Sequence, residues 1–332
     1  MTAHEGRPTG TASGFGMVEL LLSMLLALVV AGTVALVVAP LRLAFEARLA
    51  GNDEAQRLRV AADVVGEDVA MAGAGAYAGS LAGPLVHYLP PVLPWRLGVD
   101  PPGTVRDDAV TVLYVPATAA QAVLGQALAA AGGEASIGWE PGCPPADVSC
   151  GFTAGAAALV YDEGGAFNVF PITAVAADRI ELGTPLARSD QVFPAGSKIV
   201  QVVVRGYHID PGDADSGPEL MQDDEGSSQP LVDHLVTLRC EYEDGAGSGL
   251  PLDGFRDGPW MPNDTEGHRY DADLLRVRGV QITLRAESAL DALRGPASVL
   301  FSRGGAARAP AAFVPDEEWH LHIAPRNLAF PP

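Results

Sequence analysis

The chain opens on an apolar block and then changes period twice. From Leu20 to Leu41 no position carries a charge, a run of 22 residues. About 20 apolar residues cross a bilayer as a helix. The run therefore predicts a transmembrane helix over 15–41, and it is longer than the roughly 7–15-residue apolar core of a secretory signal peptide. Beyond Pro40 the pattern becomes amphipathic. Phe45, Leu49, Ala55, Leu58, Ala62, Val65 and Val69 recur at helical spacings. Arg42, Glu46, Arg48, Asp53, Glu54, Arg57, Arg59, Glu67 and Asp68 fill the other faces. This is a second helical segment with a narrow apolar stripe, over 42–76, stopped by Gly73 and Gly75. Pro40 removes one backbone donor, so the expectation is either a bend there or two helices parted near Pro40 and Gly51.

From residue 77 the period shortens to two. A Pro-rich stretch over 77–105 reads as loop, and strand signals follow at Ala109–Val115, Ala156–Tyr161, Ala166–Thr173, Arg179–Leu182, Lys198–Ile209, Leu235–Tyr242, Arg276–Arg285 and Trp319–Ile323. The second and third of these read as a hairpin across Asp162–Gly165. Residues 117–131 are rich in small side chains and fit a short helix or a loop. No repeat of 20–50 residues is visible. The expected fold is α+β: one long N-terminal helix, membrane-spanning and then amphipathic, packed on a mostly antiparallel sheet within a β-rich domain over 77–332.

Composition agrees with this reading. Gly (38) and Pro (27) are abundant and aromatics few, which suits short strands and turns. The net charge of −20 argues against a phosphate-binding surface, so no nucleic-acid partner is expected. Of the three cysteines, Cys143 and Cys150 bracket a short loop that a disulfide would close in an oxidising compartment. Three buried or free thiols would satisfy the same spacing.

The entrance to the apolar run carries the most specific chemistry. In Ser13-Gly14-Phe15-Gly16-Met17-Val18-Glu19 a lone carboxylate stands at the edge of the hydrocarbon-spanning segment. Such a charge is costly unless it reaches the head groups or pairs with a cation. Gly14, Phe15 and Glu19, followed by the apolar stretch, resemble the type IV prepilin signature. The resemblance implies cleavage after Gly14 by a prepilin peptidase, N-methylation of Phe15, and pairing of Glu19 with a neighbouring subunit's Phe15 amine during assembly. The leader, residues 1–14, departs from the family in being weakly basic: it holds Arg7 and His4 against Glu5.

Weaker matches follow in the family's order. Asn52–Gly73, Phe193–Ile199, Leu231–Tyr242, Leu275–Arg285 and Pro325–Leu328 look like segments of PilW-like (PilW/PulJ) minor pilins. That resemblance implies a minor pilin or pseudopilin, single-pass in the inner membrane with its C-terminal domain in the periplasm. It would initiate or cap a pilus-like filament with other pilin subunits. A minor pseudopilin of type II secretion fits the same layout.

The remaining chemistry is sparse. Acidic clusters at Asp210, Asp213 and Asp215, at Asp223, Asp224 and Glu225, at Asp253 and Asp257, and at Asp264 and Glu266 lack EF-hand spacing, and solvated loops are expected in preference to calcium sites. A filament-displayed adhesin or calcium-binding module is the binding alternative. No hydrolase, metalloprotease or phosphate-loop motif is present, and neither enzyme chemistry, nor a metal, nor a cofactor is expected. His320 and His322 share a strand face and read as surface positions; Cys240 reads as core.

Overall fold

The computed structural model describes residues 16–76, 83–100, 104–117, 120–139, 150–163, 166–176, 178–187, 190–213, 217–224, 227–256, 274–308 and 313–328. Helix α1, Met17–Met71, is continuous for 55 residues, about 82 Å at 1.5 Å per residue. Pro40 lies inside it without dividing it, so the two-helix alternative is not realised. The helix stops where expected. Gly73 adopts φ +78°, and its N–H donates to Leu113 O at 3.0 Å, turning the chain into the sheet.

Among the described residues fourteen strands follow: β1 (Val92–Leu93), β2 (Ala109–Tyr114), β3 (Gln121–Leu124), β4 (Gly133–Trp139), β5 (Ala157–Tyr161), β6 (Phe167–Val175), β7 (Arg179–Leu182), β8 (Lys198–Asp210), β9 (Glu219–Asp224), β10 (Ser227–Asp233), β11 (Leu235–Glu243), β12 (Gly249–Leu250), β13 (Gly279–Ala286) and β14 (Glu317–Ile323). They form two antiparallel systems, as the alternating pattern predicted. In the first, β3–β4–β7–β6–β5 runs from one flank of β8 round to the other and closes a six-stranded ring. An even count lets every pair in the ring be antiparallel. Strand β8 makes the closure possible through its length. Its first residues pair with both neighbours (Gln121↔Val200, Leu159↔Val200), while its second half pairs with β2 and β9 (Val110↔Tyr207, Gln222↔Tyr207) outside the ring.

The ring encloses its own core. Ala122, Leu124, Ile137, Val160, Phe170, Ile172, Ile180, Phe193 and Ile199 are buried inside, with Phe170 and Phe193 edge to face at 6.4 Å. The small residues of 117–131 are explained here. Gln121–Leu124 form strand β3 and the residues from 125 to 131 are mainly turn and bend, so the loop alternative holds for that part; Ala120, just before β3, and Ala122 and Leu124 within it are buried in the ring's core. The second sheet, in order β12–β11–β13–β14, turns Leu238, Cys240, Tyr242, Ile282 and Leu284 toward α1 and the outer half of the first sheet.

Helix α1 seats Leu58, Ala61, Ala62, Val65 and Val69 in that second core. Each larger side chain so buried contributes about 1.5–3 kcal/mol. Strand β14 runs beside the helix with Trp319, Leu321 and Ile323 half-buried against the core. Its C-terminal extension reaches the helix end, where Asn327 Nδ2 donates to Ala72 O at 3.4 Å. The predicted stripe is therefore right from Leu58 onward. Phe45 and Leu49 depart from it: they are 62% and 53% exposed.

Candidate functional site: the anchor helix and its seat

The helix divides into a bare half and a seated half. Every residue from Gly16 to Phe45 is exposed, and the span is long and apolar enough to cross a membrane. The two hydroxyl side chains in the apolar run are satisfied internally. Ser23 Oγ donates to Leu20 O at 2.9 Å, and Thr33 Oγ1 donates to Val29 O and Val30 O at 3.0 and 2.8 Å. Neither brings an unpaired polar group into hydrocarbon. The first ion pair, Arg42 with Glu46 at 2.9 Å, lies just past the uncharged run.

At the other end of that run Glu19 occupies the first turn, and its Oε2 accepts the Gly16 N–H at 3.1 Å. One orphan donor of the helix start is satisfied, and the carboxylate stands where the helix dipole favours negative charge. Gly14 and Phe15 lie outside the described residues. So does Cys143; Cys150 is buried and disulfide-bonded, and Cys240 is free.

The solvent side of the stalk carries its own apolar stripe. Phe45 and Leu49 each precede a buried residue, Glu54 and Leu58, by nine positions, about two and a half turns. They therefore point away from the domain that the buried stripe seats against. Leu41, at 64% exposure, extends the same line one turn toward the apolar run.

Three carboxylates missed as special by sequence reasoning stand out in the structure. Glu54, assigned above to a polar face, is only 1% exposed, and its Oε1 has no hydrogen-bond partner. Burial, and then the carboxylates Asp316 and Glu317 facing it from β14 and the residue before it, push its carboxyl up to about 8; the nearby Arg57 opposes this. Arg57 is itself held by Asp53 and Asp233 at 2.6 and 3.0 Å. The available signal was position: Glu54 stands one turn before Leu58 on the same face.

Asp68 is the second. It accepts Tyr114 Oη at 2.9 Å and also Tyr207 Oη, while Gln222 Nε2 donates to Tyr207 at 3.1 Å. Burial and then the Asp68 charge raise both phenols above their usual range. This network ties the last turns of α1 to β2, β8 and β9.

Glu287, fully buried after β13, is the third. It accepts hydrogen bonds from Arg303 Nε at 2.9 and 3.0 Å and forms ion pairs with Arg294 at 2.6 Å and His234 at 3.5 Å. Burial works against its ionisation, but the hydrogen bonds from His234, Arg303 and Arg294 outweigh it and hold the carboxyl at about 2. A cavity of about 360 Å³ opens beside these groups.

The acidic clusters are more structured than the expected solvated loops. Asp223 and Asp224 lie on β9, where Asp223 meets Arg96 at 3.0 Å and His208 at 3.2 Å, and Asp224 pairs with Arg205. Asp210 Oδ1 accepts the Gly212 N–H at 2.9 Å, and Asp253 begins a short helix. Asp215, Glu225, Asp257, Asp264 and Glu266 lie outside the described residues. Among the described residues no group of three or more His, Cys, Asp or Glu is placed to hold a metal ion. His320 and His322 stand on the outer face of the second sheet, beside Glu318 at 3.2 Å and Glu243 at 2.7 Å. Cys240 is a core residue, and burial pushes its thiol up to about 12.

No protein-family model matches the chain, and neither a curated protein nor a solved structure is detectably similar to it.

Proposed function

We propose that this chain is a prepilin-type subunit. It is cleaved after Gly14 by a prepilin peptidase, methylated at the new Phe15 amine, and assembled through its N-terminal helix as a minor pilin or pseudopilin. In this reading the protein first sits single-pass in the inner membrane with its β-rich domain in the periplasm, and then enters a pilus-like filament as an initiating or capping subunit. It is a structural and assembly subunit, not an enzyme.

One observation carries the reading. A single continuous helix joins the domain to a wholly bare apolar half that starts at Glu19. A helix built only to anchor needs about 30 Å of apolar length. Here the exposed apolar face continues past the charged pair at Arg42 and Glu46 to Leu49, on the side that its own domain leaves open. That surplus suits burial against other subunits, with the cationic Phe15 amine of a neighbour supplying the partner that Glu19 needs. Such a pair fixes register more than it stabilises.

Mass spectrometry of the mature N-terminus is the test. The expected product begins at methylated Phe15, and Gly14→Ala blocks both its formation and incorporation into filaments. A protein of unchanged mature mass and unchanged assembly in Gly14→Ala would refute the proposal.

A further inference from the structure

The cavity of about 360 Å³ beside Glu287 is lined from three separate places in the chain. Gly217 comes from the connection before β9, His234 from the turn between β10 and β11, and Leu290, Asp291, Arg294 and Arg303 from the segment after β13. That volume falls within the range of small-ligand pockets, about 300–1,000 Å³. Two guanidiniums and an imidazole meet there, although the chain as a whole carries −20.

The neighbouring carboxylates do not use up the donors of these groups. Glu287 takes Arg303 through Nε and Nη2 and Arg294 through Nη1, and Asp291 takes Arg294 through Nη2. Arg294 is 5% exposed, and its Nε has no hydrogen-bond partner among the described residues. Arg303 is bonded through Nε and Nη2, which leaves its Nη1 unspent. His234 Nδ1 comes no nearer to Glu287 than 3.5 Å. A buried donor without an acceptor is costly, and a bound water or ion is one of the ways native proteins satisfy it.

Charge sets the sign of the guest. Glu287 is fully buried and offsets one guanidinium. Asp291 offsets the other from the solvent edge, where it is 71% exposed and screened by water. An entering oxyanion meets the donors that these two carboxylates leave over, whereas a cation meets two guanidiniums. The backbone is shaped to bring the basic groups together. His234 is held at φ +53°, a conformation that few side chains adopt, with its carbonyl accepting the Glu287 N–H at 3.0 Å. Across from it, a Cβ on Gly217 would lie 2.9 Å from Arg303 Nη2 and 3.2 Å from His234 Cε1, so only glycine lets both approach.

We propose that this cavity binds one small oxyanion, a carboxylate or a phosphate, between Arg294, Arg303 and His234. The overall negative charge weighs against a polyanion spread over the surface, not against a single oxyanion held in a pocket. The site stands independently of the filament-subunit reading.

The test is calorimetric titration of the full-length protein in detergent micelles with sodium succinate and with inorganic phosphate, each against sodium chloride of equal ionic strength. Saturable one-to-one binding of at least one of the two, absent with chloride, is expected, and the tighter of them names the class. Asp291→Asn removes the competing carboxylate at an exposed position and should tighten binding about fivefold. Arg303→Gln should weaken it about tenfold or more. The Asp291 variant decides the matter if Arg303→Gln does not fold. Absence of saturable binding, an equal response to chloride, or an affinity that Asp291→Asn leaves unchanged overturns the proposal.

Discussion

Replacing Glu54 by glutamine isolates one buried proton at the joint between anchor and domain. The wild-type carboxyl is raised from 4.5 to about 8, because the docked helix buries it opposite Asp316 and Glu317. A carboxyl raised on docking binds its proton more tightly in the folded protein than in the unfolded chain. The stability tied to that proton is complete below about pH 4.5, declines as pH rises, and is gone above about pH 8. At 1.36 kcal/mol per tenfold change in proton affinity the full effect is at most about 5 kcal/mol. For a domain of this size that is on the order of 10 °C in thermal midpoint. Glutamine keeps the shape and removes the titration. Full-length protein in detergent micelles, unfolded thermally at pH 5, 7 and 9, reads the difference. The two proteins should match at pH 5, and Glu54→Gln should be the more stable at pH 9. All other titratable groups are common to both proteins, so the difference between the two proteins is the informative quantity. Parallel stability curves from pH 5 to pH 9 would show that Glu54 ionises freely, and the coupling of its proton to helix docking would be wrong.

Glu287→Gln should act with the opposite sign. Its carboxyl is held at about 2, so its contribution is present above about pH 4.5 and lost as pH falls toward 2; the variant should be less stable at pH 7 by about 3 kcal/mol and converge with wild type in acid, as chemical denaturation will read. Gly73→Ala places a side chain at φ +78° with Leu328 Cδ2 at 3.0 Å and Pro91 Cγ at 3.2 Å, and should lower the thermal midpoint by an amount corresponding to about 1–3 kcal/mol. Asp68→Asn leaves the two phenols competing for one acceptor oxygen and should cost about 1–3 kcal/mol, with faster amide exchange in the last turns of α1. Cys240 should resist alkylation until the protein unfolds, since its thiol is buried and its pKa is pushed up to about 12.

The helix was legible because its signal is local. An uncharged run, a 3.6-residue stripe from Leu58 to Val69 and a stop at Gly73 all lie within one contiguous segment. Glu54 was misplaced because residue type overrode position: a carboxylate one turn from Leu58 reads as polar face unless its neighbours in space are known. The hairpin of β5 and β6 and the long β8 were visible from alternation. Strands β3 and β4 were not, because β3 is only four residues long and β4 carries Gly133, Ala135 and Gly138, residue types that also suit helices and loops. The β9–β10 hairpin was hidden by acidic side chains that pair with Arg96, His208 and Arg205, all supplied from elsewhere in the chain. Ring closure leaves no trace in any window, since it is a statement about which distant edges meet. The Glu287 hub is of the same kind: His234, Arg294 and Arg303 converge on it only once the second sheet is built.

The shared strand also sets an order of events for a chain that emerges from its N-terminus. Strand β8 is the last of the six ring strands to be made, yet both open edges, β3 and β5, wait for it. Until it arrives the barrel is a curled ribbon with two unsatisfied margins, the form most prone to pair with a stranger. The stalk waits longer still. Its buried Glu54 faces Asp316, which comes from almost the opposite end of the chain. The N-terminal helix, which also packs on β2, β10 and β13, therefore lacks a complete seat until nearly the whole chain is made. Late arrival of the strand that seats it makes the C-terminal segment the step that commits the anchor to its domain.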